Sequence, residues 1–179
     1  FCDSLKLKLE TIDSYGLEAN DLISYKLLHF VLKETGVKYD YKTHWNPILS
    51  DAGFHSNLTY RVRPISTKKT ALKYLNLLKA IPLYIDQQTT LIEKGLNAGM
   101  GQPLIIFNGY SSTYEQHITK TPEENFYYSP FIKLPDQISK QEKDSLRQAA
   151  KKVINQSVIP SFKKVKTFFE ETYFPKTRI

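Results

Sequence analysis

The sequence predicts an all-α protein: an irregular antiparallel helical bundle with one long, partly irregular loop at about residues 37–66 and a long, kinked C-terminal helix. Three observations predict it. Apolar residues recur at three- and four-residue steps over most of the chain, as they do on one face of a helix. Residues that start helices stand just ahead of those stripes: Asn20, Thr121-Pro122 and Ser139. The apolar–polar alternation of a strand is confined to a few residues, Val37-Lys38-Tyr39-Asp40-Tyr41.

A short helix is expected at residues 4–13, and a stronger one after Asn20. Leu22, Tyr25, Leu28, Val31 and Leu32 form its stripe, and Gly36 reads as its C-terminal stop. Trp45-Asn46-Pro47 and Asp51-Ala52-Gly53 break any period, so residues 37–66 read as a loop, with a short strand or hairpin near residues 60–63. Long loops within compact domains are uncommon and often functional. Helix resumes at Ser66-Thr67 with Leu72, Leu75 and Leu78 on one stripe. Pro82 implies a kink or a new start, because proline lacks the donor that a helix interior needs. The next helix carries Ile85, Leu91, Ile92 and Leu96 and ends in the Gly95 to Gly101 cluster. Gln102-Pro103 opens a further apolar helix toward His117. Thr121-Pro122-Glu123-Glu124 starts a short helix that Pro130 and Pro135 limit. Ser139 and Glu142 form a capping box for the final helix, whose stripe runs Leu146, Ala150, Val153, Ser157, Phe162, Val165, Phe169 and Tyr173, bent at Pro160.

With 179 residues, 41% of them hydrophobic and 24% charged, the chain has the composition of one folded globular domain, residues 1–179. The net charge of +7 suits an acidic partner, although the lysines are spread among glutamates as on a solvated face. No run approaches the roughly 20 apolar residues of a membrane-spanning helix, so no membrane span is expected. Cys2 is the only cysteine, which rules out an internal disulfide and a thiolate zinc site. Its place beside the first residue is where a lipid-anchored bacterial protein keeps its modified cysteine, but Phe1 is a poor residue to precede such a site, and a plain unpaired thiol is the stronger reading. Cys2 does not settle the compartment; a periplasmic, secreted or lipid-anchored location is slightly favoured.

The catalytic templates fail one by one. His29, His44, His55 and His117 never fall three or four residues apart, so no helix presents two as metal ligands. No glycine-rich loop precedes a helix, and Gly109-Tyr110-Ser111-Ser112 lacks the second glycine of a nucleophile elbow. No catalytic residue and no metal ligand are expected in this chain. Asp86 and Gln88 read as polar positions on a helix, and Glu170-Glu171 as solvated neighbours that point apart. Phe126, Tyr127, Tyr128 and Phe131 read as an irregular segment docked on the bundle. No basic track interleaves them, so no nucleic-acid partner is expected. His55, in Gly53-Phe54-His55 of the long loop, is the position where a neutral imidazole would meet a ligand.

Three stretches together resemble the bacterial family called domain of unknown function 885. The first is Ala52-Gly53-Phe54-His55-Ser56-Asn57-Leu58, similar to its Gly-Gly-x-His loop. The second runs from Tyr74-Leu75-Asn76-Leu77-Leu78 through Ala80-Ile81-Pro82-Leu83-Tyr84-Ile85-Asp86-Gln87 to Glu93-Lys94-Gly95-Leu96-Asn97-Ala98-Gly99-Met100. The third joins Ser129-Pro130-Phe131, Val158-Ile159-Pro160-Ser161-Phe162 and Tyr173-Phe174-Pro175-Lys176-Thr177-Arg178. The chain departs from the family at Ala52, at Leu104 after Pro103, and in Asn46-Pro47-Ile48-Leu49.

The resemblance implies a helical, zinc-peptidase-like protein whose metal motif lies in a C-terminal half that nothing here matches. This chain would be its non-catalytic N-terminal part, the wall of a substrate cleft. His55 is the one position carried over, as a substrate-binding residue lining that cleft. Zinc would belong to the missing half, and that half and a peptide substrate would be the partners. The alternatives are a standalone helical binding module with a basic surface and an inactive paralogue.

Overall fold

The computed structural model describes residues 1–48 and 52–177, and the fold is all-α. Leu49 and Asp51 of the loop reading and Arg178 of the C-terminal stretch lie outside the described residues. The chain divides into two compact units, Phe1–Asn46 and Pro47–Ile179.

The first unit pairs α1 (Cys2–Glu10) with α2 (Ala19–Asp40). Phe1 and Asp3 at the start of α1 share a cleft with Thr35 and Tyr39 near the end of α2, so the two helices run antiparallel. Helix α2 does not stop at Gly36. Gly36 has no positive φ, and the backbone first turns left-handed at Lys42, with φ 56°. Glycine permits a helix stop but does not impose one. The inner face of α2 is Leu22, Tyr25, His29 and buried Leu32, while Leu28 and Val31, expected on the same stripe, are exposed. A 3₁₀ turn, Thr43–Trp45, follows, with Tyr39 stacked on His44 and the Lys42 ammonium 4.6 Å from the Trp45 ring centre.

The second unit is built on α3 (Lys68–Asn97), which begins at a Thr67 capping box. Pro82 sits inside α3 without ending it. Leu78, Ile81 and Ile85 around it are fully buried, and their burial offsets the one backbone bond that proline forgoes. The buried stripe of α3 is Ala71, Tyr74, Leu75, Leu78, Ile81, Ile85 and Ile92, and Leu72 lies off it, 47% exposed. Gly99, at φ 77°, makes the turn after the helix.

The apolar helix expected after Pro103 is a 3₁₀ turn, Leu104–Phe107, and a single α turn, α4 (Ser112–Glu115). Gly109, at φ 77°, separates the two. In place of a strand at residues 60–63 the chain forms a 3₁₀ helix, Ser56–Arg61, and the nearest approach to a hairpin is an isolated bridge between Ile48 and Gly53.

Beyond the 3₁₀ turns Pro122–Glu124 and Phe126–Phe131 lies the long C-terminal helical run. It comprises α5 (Lys140–Val153), a π turn Ile154–Val158, α6 (Ile159–Thr167) and a second π turn Phe168–Tyr173. The expected capping box of Ser139 and Glu142 is formed. Helix continues through Pro160, where a bend is expected, and a π turn lies just before it. Buried residues fall four apart at Ala150, Ile154, Val158 and Phe162, and again at Val165, Phe169 and Tyr173. Steps of four outrun the 3.6-residue turn of an α-helix, and the wider π turns keep the stripe facing α3.

Side chains tie the irregular segments down. Tyr74 Oη donates to the Tyr127 carbonyl at 3.1 Å, Arg147 Nε to that of Phe131 at 3.1 Å, and the Gln102 amide to Tyr173 Oη at 3.0 Å. Tyr127 and Phe131 are fully buried, as expected for a docked aromatic segment.

Candidate functional site

Two places in the second unit carry the residues that the sequence singles out. The first is the setting of His55. The loop that presents it closes on Ser56, whose Oγ accepts from the Gly53 amide at 2.8 Å and donates to the Gly53 carbonyl at 3.1 Å. Gly53 is required by space: a Cβ there would stand 2.7 Å from Tyr110 Oη. The imidazole is fully buried, with ring centres of Phe54, Phe169, Tyr110 and Tyr114 between 5.1 and 6.2 Å away.

Its tautomer follows from one chain of bonds. Thr113 Oγ1 donates to the Tyr110 carbonyl at 2.7 Å, so it must accept from His55 Nε2, 2.8 Å away. The proton is on Nε2, and the Nδ1 lone pair faces the interior without a hydrogen-bond partner among the described residues. Burial, with a smaller contribution from His117, pushes the His55 pKa down to about 3. His117, wedged 4.4 Å from the Phe162 ring centre, is pushed down to about 4 by burial. Both are neutral at physiological pH. His55 therefore reaches no solvent here; it fastens the loop to α4 from inside the core.

The second place is the outer side of the same loop. Leu77, Ala80, Ile81 and Tyr84 lie three, four and seven residues apart, on one face of α3. Leu58 and Arg61 lie three apart on the Ser56–Arg61 3₁₀ helix, where such residues eclipse. These two faces and Asn57 enclose a groove of about 330 Å³. Ile81 closes its floor, Leu58, Leu77 and Tyr84 are half-buried, and Asn57, Arg61 and Ala80 are open to solvent. Tyr84 Oη donates to the Phe54 carbonyl at 3.2 Å, which hangs the groove wall on the His55 loop. Among the described residues neither the Arg61 guanidinium nor the Asn57 amide has an ion-pair or side-chain hydrogen-bond partner.

The remaining sequence candidates have structural duties. Asp86 pairs with Lys164 at 3.0 Å on the surface. Glu170 is more than a solvated carboxylate: it accepts from Tyr114 Oη at 3.1 Å and pairs with Lys166 at 2.9 Å. Lys166 also bonds Glu115, which holds that carboxyl below its usual range. No group of metal-ligating side chains large enough to hold an ion occurs among the described residues. No described helix is long and apolar enough to cross a membrane.

Arg61 escaped the sequence reading. Its partners in the groove lie on another helix, and only the three-residue spacing from Leu58 hinted at a shared face. Asn57 and Tyr84 stood within the quoted stretches without a role.

No curated protein and no solved structure matches this chain. The sequence profile of the family described as bacterial protein of unknown function (DUF885) matches residues 3–178. Loop, α3 and C-terminal helical run all fall within that match, and the chain belongs to the DUF885 family.

Proposed function

We propose that this chain forms the helical, non-catalytic wall of a substrate cleft in a metal-dependent, peptidase-like hydrolase. Its partner is a C-terminal half that supplies the zinc. The observation that carries the reading is the convergence of two stretches bearing the family resemblance on one open groove: Asn57-Leu58 from the loop, and Leu77, Ala80, Ile81 and Tyr84 from α3. Those stretches are distant in sequence, and a shared concave surface with an apolar floor and a few polar groups is the usual form of a ligand site. His55 contributes from behind the wall, setting the loop that carries Asn57 and Leu58.

The test is made on the product of the native gene. A mass above 20.8 kDa, bound zinc and hydrolysis of peptides are expected. Ala80→Trp, which fills the groove from an exposed position, should lower kcat/KM for peptides by about tenfold, the effect of losing roughly 1.4 kcal/mol of transition-state binding. A product of 20.8 kDa that binds no zinc overturns the reading. A standalone binding module would take its place. The net positive charge belongs entirely to residues 47–179, so salt-sensitive binding to a polyanion would mark that outcome.

A further inference from the structure

We infer that the groove between the Ser56–Arg61 3₁₀ helix and α3 recognises the C-terminal residue of a peptide, with Arg61 holding its free carboxylate and the groove its apolar side chain. This rests on the reading of the groove as a substrate contact and names the substrate class.

The groove offers one cation and an apolar floor. Arg61 is exposed at its mouth, and no carboxylate of the described residues neutralises it, whereas Arg147 pairs with Asp144 and donates to the Phe131 carbonyl. A guanidinium presents a planar fork that matches a carboxylate with two parallel bonds. Asn57, on the same 3₁₀ helix, adds an amide able to donate to a carboxylate oxygen or to meet the last peptide group. The Tyr84 hydroxyl proton is committed to the Phe54 carbonyl, so that oxygen is left as an acceptor, suited to a peptide N–H.

Beneath these groups, Leu58, Leu77 and Ile81 offer carbon only. The volume of about 330 Å³ lies at the small end of ligand sites, enough for one residue with its flanking peptide group and too little for an extended chain. One positive charge at the mouth and an apolar floor fit one negative charge attached to an apolar side chain.

The experiment is calorimetric titration of the 179-residue chain with three probes: N-acetyl-leucine, N-acetyl-leucine amide and octanoate. N-acetyl-leucine should bind, and the amide, which lacks the charge, should bind about tenfold more weakly, the range of a charge-assisted hydrogen bond. In Arg61→Gln the acid and the amide should become equal. In Ala80→Trp both should be lost. Arg61 and Ala80 are exposed, and unchanged circular dichroism and melting temperature will show that each variant is folded.

Equal binding of acid and amide to the unaltered chain overturns carboxylate recognition, while the groove as a substrate contact stands. Octanoate bound as tightly as N-acetyl-leucine overturns the peptide assignment in favour of a fatty acid. No binding by any probe overturns the inference as a whole. The mass and zinc content of the native product are independent of all three results.

Discussion

Helix α3 buries Ala71, Leu75, Leu78, Ile81 and Ile85 along one face, whereas α2 leaves Ile23, Leu27 and Phe30 at 64%, 61% and 58% exposure. Both helices are rich in apolar residues. The difference is phase. In α3 most apolar positions, Leu72 and Leu83 apart, fall on the side that α5 and α6 cover, and lysines lie off that side. In α2 they lie around the whole circumference, and α1 covers only the strip from Leu22 to Leu32. Apolar content thus does not set burial; the angle at which each residue leaves the helix does. A helix that is apolar all round is stable only where neighbours surround it.

The comparison can be broken first at its strongest point. Phe169→Ala should cost about 3–5 kcal/mol in denaturant unfolding, because Phe169 is fully buried against the rings of Phe54, Tyr110, Tyr114, Phe168, Tyr173 and Phe174. A loss below about 0.5 kcal/mol, the range of ordinary surface changes, would mean that the second unit is not the consolidated one.

Acid sharpens the same contrast. His55 is neutral in the fold down to about pH 3, yet ionises near its ordinary pKa of 6.5 once unfolded. The unfolded state therefore binds more protons, and stability present above pH 6.5 falls as the pH drops, by about 1.4 kcal/mol per pH unit for His55. His117 adds to the slope down to about pH 4. Unfolding free energies measured between pH 7 and 4 should show the decline, and His117→Phe should flatten it. A slope unchanged in that variant would contradict the assignment.

Gly53→Ala comes next, with an expected loss of about 1–3 kcal/mol from forcing a methyl group into a packed interior. Adding Tyr110→Phe, which removes the oxygen 2.7 Å from the new carbon, should recover part of it. Ser139→Ala removes the cap of α5 and should cost about 1 kcal/mol, visible as a lower melting temperature. At the other end of the scale, Leu27→Lys on α2 should change stability by no more than about 0.5 kcal/mol, since the side chain is already in water. A larger loss would show that α2 has a partner on that face.

The sequence made the second unit legible where local rules act alone. Ser139 with Glu142, the helix start at Thr121-Pro122, and the run from Leu146 to Tyr173 are signals within one turn or one face, and they appear as expected except at Ser157, where Ile154 and Val158 are buried in its place. Gly36 misled, because residue type marks a left-handed turn only where the chain uses it; the turn came six residues later, at Lys42. Leu72 misled for the opposite reason: its spacing fits Leu75 and Leu78, and only the position of α5 selects Ala71 and Tyr74 instead.

The site was half legible. His55 was picked out by a loop motif, but no periodicity attends a single loop residue, so its burial was invisible until Thr113, Tyr110 and Phe169 met it from elsewhere in the chain. The groove beside it is a tertiary product of two short faces, neither of which is distinctive alone.

The two π turns of the C-terminal run have a consequence for how the chain can change length. In a regular α-helix, removing one residue rotates everything beyond it by about 100° and turns the core side chains outward. A π turn already holds one residue more than its α counterpart. Shortening Phe168–Tyr173 by one would return that turn to α geometry with the flanking stripe still in register. Each wide turn is therefore a splice point, where a one-residue deletion is absorbed locally while the same deletion in α5 would unseat Leu146, Ala150 and Val153.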